Sequence, residues 1–463
     1  MSINLSFHGG VDTVTGSCHL LQVDGLNILV DCGMFQGRPE WENRNFDDFD
    51  FDPSSVDYLL LTHGHLDHCG RIPVLVKKGF QGKIITTTAT YDIARIVIMD
   101  SARIQEEDYE YWKRIHPRRS FVRRGPLYTT EDALDSLRYF STIPGYGSAV
   151  PLNNAITAVF RDAGHIFGAA FIEINIRGQG RIIFSGDLGN RNKPIIRDPV
   201  LPSTADVVVI EGTYSNRNHK DMGASVQELQ QAIVQTAKRK GNVLIPSFAI
   251  ERAQDILYFL RELYYRKMLP RYRVFLDSPM GISVTNVMRR YPEYFDKAAS
   301  DILKKNRDPF IFPGVQFTKT QNASRQINYI KKNAIIIAGS GMCTGGRIKH
   351  HLTRNIANKK SSIIFIGYQA QGTLGRKIVD KSKRLKIFGR DFSVNAEVYT
   401  IGGFSAHADR DILCDWLEHT GRPEHLFLVH GEKRALLSFQ KELTARKQAK
   451  NIHVPGYNSH YSL

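Results

Sequence analysis

The chain has 463 residues, of which 42% are hydrophobic and 23% charged, and its formal net charge at pH 7 is +16. This length exceeds one ordinary hydrophobic core and predicts two domains, and no apolar run reaches the roughly 20 residues that span a bilayer. The basic excess favours a polyanionic partner, nucleic acid before anionic membrane, although many basic proteins carry lysines only for solubility.

The N-terminus and the cysteines both predict a cytoplasmic protein. The first residues lack the basic segment and apolar run of a secretory signal. The five cysteines are scattered, odd in number and never in a Cys-x-x-Cys pair, so they favour reduced thiols over a disulfide framework.

The first part of the chain predicts strands joined in hairpins, with Asp24-Gly25 as a two-residue turn. A buried strand at 56–61 then leads into the histidine-rich loop Thr62-His63-Gly64-His65-Leu66-Asp67-His68. Nitrogen and carboxylate ligands without sulfur suit Zn²⁺ in an open site, with His63 and His65 directed at one ion and Asp67 and His68 at a second. A solvated histidine-rich loop is the alternative.

Two helices and a strand are expected between residues 70 and 102, and a basic stretch follows at 103–126. That stretch includes Arg118, Arg119, Arg123 and Arg124. Contact with phosphates is one hypothesis for these arginines, and an ordinary solvated surface is the other.

Single ligand-type side chains also follow the later strands, which are predicted at 155–160, 171–176 and 181–185. Asp31, His63, His165 and Asp187 each come shortly after the end of an apolar run. Strand ends on one rim of a sandwich converge in space, so these residues can share a site although they are far apart in the sequence. Together they are poorly explained as unrelated turn residues.

From residue 205 the pattern changes to helices alternating with short Val/Ile-rich runs, beginning with a strand that ends in Glu211. This alternation predicts a parallel sheet covered on both faces. After about residue 393 the hairpin pattern returns, with strands expected at 396–401 and 425–429. We therefore expect a first domain at 1–209, an inserted α/β domain at 210–394, and a closing part of the first domain at 395–463.

These motifs resemble a known family. Asp31, the His63-x-His65-x-Asp67-His68 motif, His165 and Asp187 are similar, in order and spacing, to the metal motifs of the metallo-β-lactamase fold. The branch with the closest resemblance is the β-CASP family of nucleic-acid processing nucleases, and the similarity covers essentially the whole chain. Its further motifs are matched by Glu211 in Glu-Gly-Thr-Tyr, His407 in Phe-Ser-Ala-His-Ala-Asp, and His430 in Val-His-Gly-Glu.

The resemblance implies an α/β fold, an αββα metallo-β-lactamase sandwich with an inserted Rossmann-like, parallel-sheet β-CASP domain. It also implies two Zn²⁺ ions, one held by His63, His65 and His165 and the other by Asp67, His68 and His430. Asp187 would bridge the two ions, and Asp31 would orient a ligand imidazole from behind. Asp67 would accept a proton from the attacking water. His407, polarised by Glu211, would protonate the departing sugar oxygen.

A glycine-rich loop between a predicted strand and a predicted helix is the expected phosphate-binding element, because backbone N–H groups and a helix N-terminus can hold an anion. A simple turn is the alternative. The residues proposed to contact RNA phosphates are Ser340, Gly341, Thr344, Gly345, Gly346, Arg347 and Arg376.

The function implied by the resemblance is a zinc-dependent ribonuclease that hydrolyses RNA phosphodiester bonds in a basic cleft between the two domains, in RNA processing or decay. A DNA nuclease of the same family and a non-catalytic RNA-binding scaffold are the alternatives. His430 favours RNA, because the DNA branch tends to carry Val there, and the complete ligand set argues against a scaffold. Single-stranded RNA is the expected partner, and a homodimer is a possible assembly.

Overall fold

The structure is a computed structural model in which residues 3–115 and 125–463 are described. The four arginines of the basic stretch, Arg118, Arg119, Arg123 and Arg124, lie outside the described residues. The chain forms two compact units. The first comprises Met1–Arg191, Asp198–Asn218 and His407–Leu463, and the inserted unit comprises Asn192–Arg197 and His219–Ala406.

Among the described residues, eleven strands lie before residue 219, where the main part of the inserted unit begins. They are β1 Asn4–Gly9, β2 Cys18–Val23, β3 Leu26–Val30, β4 Tyr58–Leu60, β5 Lys83–Thr87, β6 Phe140–Ile143, β7 Ala149–Pro151, β8 Ile156–Asp162, β9 Ala170–Ile176, β10 Gly180–Phe184 and β11 Val207–Glu211. The predicted turn joins β2 to β3, with positive φ angles of 50° at Asp24 and 75° at Gly25. This backbone matches the right-handed twist of the flanking strands.

The helices of this part are short, apart from α4. They are α1 Pro39–Asn43, α2 Leu66–Cys69, α3 Ile72–Lys77, α4 Thr88–Ile115 and α5 Thr130–Ser136. Helix α5 begins with a capping box, in which the Thr129 side chain accepts from the Asp132 backbone and the Asp132 side chain accepts from the Thr129 backbone.

The inserted unit alternates helices and strands. Its elements are α6 Met222–Lys238, β12 Val243–Pro246, α7 Arg252–Tyr265, β13 Arg273–Leu276, α8 Pro279–Arg290, α9 Lys297–Lys304, β14 Val315–Phe317, α10 Gln321–Ile327, β15 Ala334–Ala338, α11 Ile348–Asn355, β16 Ser362–Phe365, α12 Leu374–Val379, β17 Arg384–Ile387, β18 Arg390–Ser393 and β19 Glu397–Thr400. Six strands form one sheet in the order β14-β13-β15-β12-β16-β19, and β17 and β18 form a separate hairpin. Every pair in the six-stranded sheet is parallel.

The last part of the chain returns to the first unit. It contributes α13 Arg410–Glu418, β20 His425–Val429, α14 Lys433–Ala445, β21 Asn451–His453 and β22 Ser459–Ser462. Two seven-stranded sheets result, with the orders β22-β1-β2-β3-β4-β5-β6 and β21-β20-β11-β10-β9-β8-β7.

The two sheets of the first unit share one hydrophobic core. Phe7 and Val30 of one sheet and Phe184 and Phe427 of the other belong to the same buried cluster, which indicates face-to-face packing of the sheets. Helices cover the outer faces. On the outer side of the second sheet, for example, Trp416 of α13 makes an edge-to-face contact with Phe171 of β9 at a centroid distance of 5.3 Å. This is the predicted αββα sandwich with an inserted α/β unit.

One strand was assigned wrongly from the sequence. The run at 396–401 was expected to begin the closing part of the first domain with a return to hairpins. The structure instead pairs β19 in parallel with β16, so this strand is the edge of the inserted sheet. The alternation of polar and apolar residues along a solvated edge strand is the same whether the neighbouring strand is parallel or antiparallel. The remaining domain limits stay a prediction.

The described residues include no helix long and apolar enough to cross a membrane. All five cysteines are buried free thiols.

Candidate metal centre

The candidate ligands lie on one rim of the first unit, because the strands that precede them run in the same direction. In the first sheet, Asp31 follows β3 and His63 follows β4, and these strands are parallel. In the second sheet, Asp187 follows β10, Glu211 ends β11 and His430 follows β20, again in parallel. Strand β8, which leads to His165, is antiparallel to β9, and β9 is antiparallel to β10, so β8 ends on the same rim.

A first group of donors consists of His63, His65, His165 and Asp187, whose ligand atoms all lie within 4.8 Å of one another. The His65 Nδ1 atom is 3.1 Å from His63 Nε2 and 3.3 Å from His165 Nε2. Both Nε2 atoms lie 3.4 Å from Asp187 Oδ2. Zinc bonds of about 2.0–2.1 Å in a tetrahedron separate the ligand atoms by about 3.4 Å. The distances between these ligand atoms therefore fit a cation with tetrahedral coordination.

A second group consists of Asp67, His68 and His430. The Nε2 atoms of His68 and His430 are 3.3 Å apart, and His430 Nε2 is 3.6 Å from Asp67 Oδ2. The other oxygen of Asp187, Oδ1, lies 3.4 Å from His68 Nε2. Asp187 thus presents one oxygen to each group, which is the arrangement that a bridging carboxylate needs.

The electrostatics of the cluster also suit cations. Asp187 is buried, and its Oδ1 atom accepts no hydrogen bond within the described part of the chain. Burial would raise the pKa of Asp187, but the imidazoles of His430 and His68 outweigh burial and hold that pKa well below its usual range. Burial lowers the pKa of His63, and it lowers the pKa of His65 to about 3. The rings of His63 and His65 therefore offer neutral lone pairs beside a buried anion, and the donor set of the first group fits zinc. In the second group, burial would lower the pKa of His68, but the carboxylates of Asp187 and Asp31 outweigh it and raise that pKa well above its usual value.

The buried carboxylate of Asp31 holds this cluster from behind. Its Oδ2 atom accepts from His68 Nδ1 at 2.7 Å, which leaves His68 Nε2 directed at the second group. The Thr62 amide and hydroxyl also donate to Asp31, at 2.8 Å each, and the Thr62 hydroxyl lies 3.0 Å from His63 Nδ1. One threonine therefore connects Asp31 to a ligand of the first group. This role of Thr62 was not predicted from the sequence. The one sequence feature that points to it is the position of Thr62 directly before His63.

Close backbone packing fixes the turn that carries Asp67 and His68. The backbone of Gly33 lies so near that turn that a Cβ atom at position 33 would be 1.6 Å from the Asp67 carbonyl oxygen. Two hydrogen bonds hold the same region, from the Cys32 amide to the His68 carbonyl and from the Ser17 amide to the Asp67 carbonyl. Glycine at 33 is thus a steric requirement of the site.

His407 and Glu211 form a separate pair beside these groups. The His407 Nδ1 atom lies 3.1 Å from both carboxylate oxygens of Glu211. Glu211 is itself held by the backbone amides of Leu188 and Thr213, at 2.7 and 3.3 Å. Burial would lower the pKa of His407, but the carboxylates of Glu211 and Asp187 outweigh it and raise that pKa to about 8. The His407 side chain is 21% exposed, whereas that of His63 is 1% exposed, so His407 reaches the surface of the site.

His430 has a positive φ of 48° and is held by Thr213, whose hydroxyl lies 3.1 Å from His430 Nδ1 and 3.0 Å from its carbonyl oxygen. Thr213 is a second supporting residue that sequence reasoning missed. The ligand atoms of His407, His430, Asp187 and Glu211 also lie within 4.8 Å of one another, so these four residues form another set of donors.

The residues predicted to bind phosphate lie in the inserted unit. In the loop after β15, the Ser340 hydroxyl accepts from the Gly345 amide at 3.1 Å and lies 3.2 Å from the Thr344 hydroxyl. Gly346, at a φ of 72°, lies against the Gly339 carbonyl and closes the loop. Among the described residues, none accepts a hydrogen bond from the amides of Gly341, Thr344 or Gly346. Amides of this kind can hold an anion.

The two predicted arginines are engaged within the same unit. Arg347 donates to the buried Asp277 carboxylate at 2.7 Å, and to the carbonyls of Thr318 and Lys319 at 2.8 and 2.7 Å. Arg376 pairs with Asp380 one helical turn away, at 3.0 Å. Both contacts use donors that a phosphate would need, so the assignment of these arginines to phosphate stays a prediction.

Comparison with known proteins agrees with this geometry. Three family models match the chain: the metallo-beta-lactamase superfamily over residues 11–135, the Beta-Casp domain over 253–378, and the Zn-dependent metallo-hydrolase RNA specificity domain over 391–455. Ribonuclease TTHA0252 of Thermus thermophilus is 39% identical over 441 residues, which are 95% of this chain and 96% of that protein. The chain belongs to the β-CASP family of metallo-β-lactamase ribonucleases.

Another relative of this β-CASP chain is the transcription termination factor FttA of Methanocaldococcus jannaschii, which is 30% identical over 98% of this chain and 70% of its own length. A crystal structure of a protein of unknown function from Enterococcus faecalis V583 covers the whole chain with a TM-score of 0.56 at 13% identity. That likeness concerns the fold alone. The predicted family and fold class are confirmed.

Proposed function

We propose that this β-CASP chain hydrolyses RNA phosphodiester bonds at a centre of two zinc ions. The observation that carries the proposal is the pair of donor groups around Asp187, a buried carboxylate that presents one oxygen to each group. If only the first group held an ion, Oδ1 of Asp187 and the buried imidazoles of His68 and His430 would have no cation to bind. Two zinc ions close together lower the pKa of water and neutralise the charge on a phosphodiester.

The proposed ligands fall into three sets: those of the first ion, those of the second ion, and the carboxylate shared by both. His63, His65 and His165 would hold the first ion, and Asp67, His68 and His430 the second, with Asp187 between them. Asp31 and Thr62 would keep the rings of His68 and His63 in position. Supporting contacts of this kind typically change metal affinity by about 10- to 100-fold when they are lost.

Two further side chains would move protons. Asp67, whose side chain is 20% exposed, is the proposed acceptor of the proton from the attacking water. His407 is the proposed donor to the departing sugar oxygen. The Nδ1 atom of His407 lies 3.1 Å from the Glu211 carboxylate, which favours the charged ring from which the proton would come.

The glycine loop is the proposed holder of an RNA phosphate. The amides of Gly341, Thr344 and Gly346 and the hydroxyls of Ser340 and Thr344 are donors without sequence preference, as expected for contacts with a backbone. Gly345 leaves open space where a side chain would stand. Single-stranded RNA is the proposed substrate. A homodimer and a cytoplasmic location stay predictions.

The test uses zinc-loaded protein with end-labelled RNAs carrying a 5′-monophosphate or a 5′-triphosphate, and with single-stranded DNA of the same sequence. We expect RNA cleavage that stops on addition of a zinc chelator and a much slower reaction on DNA. Product sizes distinguish internal cleavage from stepwise removal of terminal nucleotides. Equal cleavage of DNA would support the DNA-nuclease alternative, and binding of RNA without cleavage would support the scaffold.

A further inference from the structure

Two exposed aromatic side chains stand at the carboxyl edge of the parallel sheet in the inserted unit. Phe248 follows β12 and Tyr368 follows β16, and these two strands pair directly. The two residues are 45% and 46% exposed. Phenylalanine is usually buried, and ligands of parallel α/β sheets bind at the carboxyl ends of the strands. The two exposed rings therefore stand at the edge where ligands of such sheets bind.

Phe248 lies directly on the glycine loop. A Cβ atom at Gly341 would be 2.8 Å from Cδ2 and Cε2 of the Phe248 ring and 3.1 Å from the Phe248 amide nitrogen. Only a glycine at 341 lets the ring approach the loop backbone this closely. The Phe248 ring therefore lies against the loop backbone.

The buried side chain of Gln369 ties the second aromatic residue to the same loop. Its amide Nε2 atom lies 3.1 Å from the Gly341 carbonyl, 3.1 Å from the Tyr368 carbonyl and 3.2 Å from the Gly367 carbonyl. The Gly375 amide adds a hydrogen bond to the Met342 carbonyl at 3.0 Å. The backbone that carries Tyr368 is thus anchored to the loop on which Phe248 rests.

We infer that Phe248 and Tyr368 form a stacking platform for bases of single-stranded RNA, beside the loop that holds a phosphate of the same strand. The inference rests on the proposed ribonuclease function and adds which part of the nucleotide is recognised. The Phe248 ring lies against Gly341 of a loop whose amides and hydroxyls are donors, and this mixture of an apolar ring and polar donors suits a nucleotide better than a protein surface. Stacking accepts every base, so the platform grips RNA without selecting a sequence.

The experiment measures affinity by fluorescence anisotropy, with zinc-loaded full-length protein and a hydrolysis-resistant phosphorothioate oligoribonucleotide. A second oligonucleotide of equal length and charge lacks its bases. We expect Phe248→Leu, which keeps an apolar side chain, to weaken binding of the base-containing RNA by about 5- to 100-fold. Phe248→Trp should restore it. Binding of the abasic strand should be the same for wild type and Phe248→Leu, and the salt dependence should be unchanged because no phosphate contact is lost.

Two more variants complete the design. Tyr368→Leu should reproduce the loss without touching the contact with Gly341. Tyr329→Leu is the matched control, since Tyr329 is a 77% exposed aromatic residue before the amino end of β15, and it should bind like wild type.

The inference is overturned if both Leu variants bind base-containing RNA as tightly as wild type, or if they lose affinity equally for the abasic strand. Cleavage of unmodified RNA by wild type separates the two claims. A wild-type protein that cleaves RNA while both Leu variants bind it normally would retain the proposed function and lose only the platform, whereas failure to cleave RNA would remove the function itself.

Discussion

Asp277 offers a quantitative test of how the inserted unit supports its glycine loop. This carboxylate follows β13, is fully buried, and accepts four hydrogen bonds. Arg347 and Thr318 donate to Oδ1 at 2.7 and 2.8 Å, and His351 and Ser324 bind Oδ2 at 2.6 Å each. Because Arg347 comes directly after the loop, Asp277 anchors the point where the loop becomes α11.

The magnitude follows from the pKa of Asp277. Burial would raise this pKa, but the hydrogen bonds from His351 and Ser324 outweigh burial and lower it from 3.8 to about 2. A depression of that size corresponds to about 2.5 kcal/mol of folding free energy at neutral pH. In Asp277→Asn the new amide NH₂ group would also face the donors that now bond to the carboxylate. We therefore expect the free energy of unfolding to fall by about 3 kcal/mol.

Urea unfolding followed by circular dichroism measures this loss, because all three tryptophans lie in the first unit and would not report on the inserted one. The control is Asp301→Asn, at an aspartate whose side chain is half-exposed and paired with Lys304 at 3.4 Å, and this change should cost less than about 0.5 kcal/mol. A carboxylate with a lowered pKa stabilises the fold above its ordinary pKa. The difference in unfolding free energy between wild type and Asp277→Asn should therefore be full above pH 3.8 and should shrink by about 2.5 kcal/mol as the pH falls through about 2. Equal urea midpoints for wild type and Asp277→Asn, or a difference that grows in acid, would show that the Asp277 carboxylate does not stabilise the fold in this way.

Three other predictions concern the metal centre. His65→Ala should contain less zinc than wild type by elemental analysis, and equal contents would contradict its assignment as a ligand. His407→Ala should keep its zinc and bind RNA but lose turnover by about 10²- to 10⁴-fold; loss of zinc would make His407 a ligand, and unchanged turnover would remove it from the mechanism. Thr62→Val removes the hydroxyl beside Asp31 and His63, and should weaken zinc affinity by about 10-fold in a chelator competition, whereas an unchanged affinity would mean that the hydroxyl does not position the ligands.

Much of the site could be predicted because its residues obey one simple rule. Asp31, His63, Asp187, Glu211 and His430 end or directly follow short apolar strands, and strands of one direction bring their ends together. The hydroxyl groups that support them could not be predicted in the same way. The role of Thr213 depends on His430, and the two residues are 217 positions apart in the sequence.

The arginine beside the glycine loop shows a second limit of local patterns. A basic residue next to glycines predicts a phosphate contact, and that contact stays a prediction. The local pattern did not predict the hydrogen bond from Arg347 to Asp277, which lies 70 positions earlier in the chain. A buried carboxylate at a strand end attracts a partner wherever the fold provides one. The strand β19 was misplaced for a related reason, since its alternating pattern specifies a strand without specifying which sheet receives it.

We propose that the centre around Asp187 binds two zinc ions and that this loaded centre is required for RNA hydrolysis. The most direct measurement is a titration of zinc-free protein with zinc, in which each addition is followed by the initial rate of cleavage of an end-labelled single-stranded RNA. We predict no cleavage without zinc, and a rate that rises until about two equivalents are bound and then stays constant. Cleavage by the zinc-free protein, or a rate that is already maximal at one equivalent, would contradict a requirement for two zinc ions.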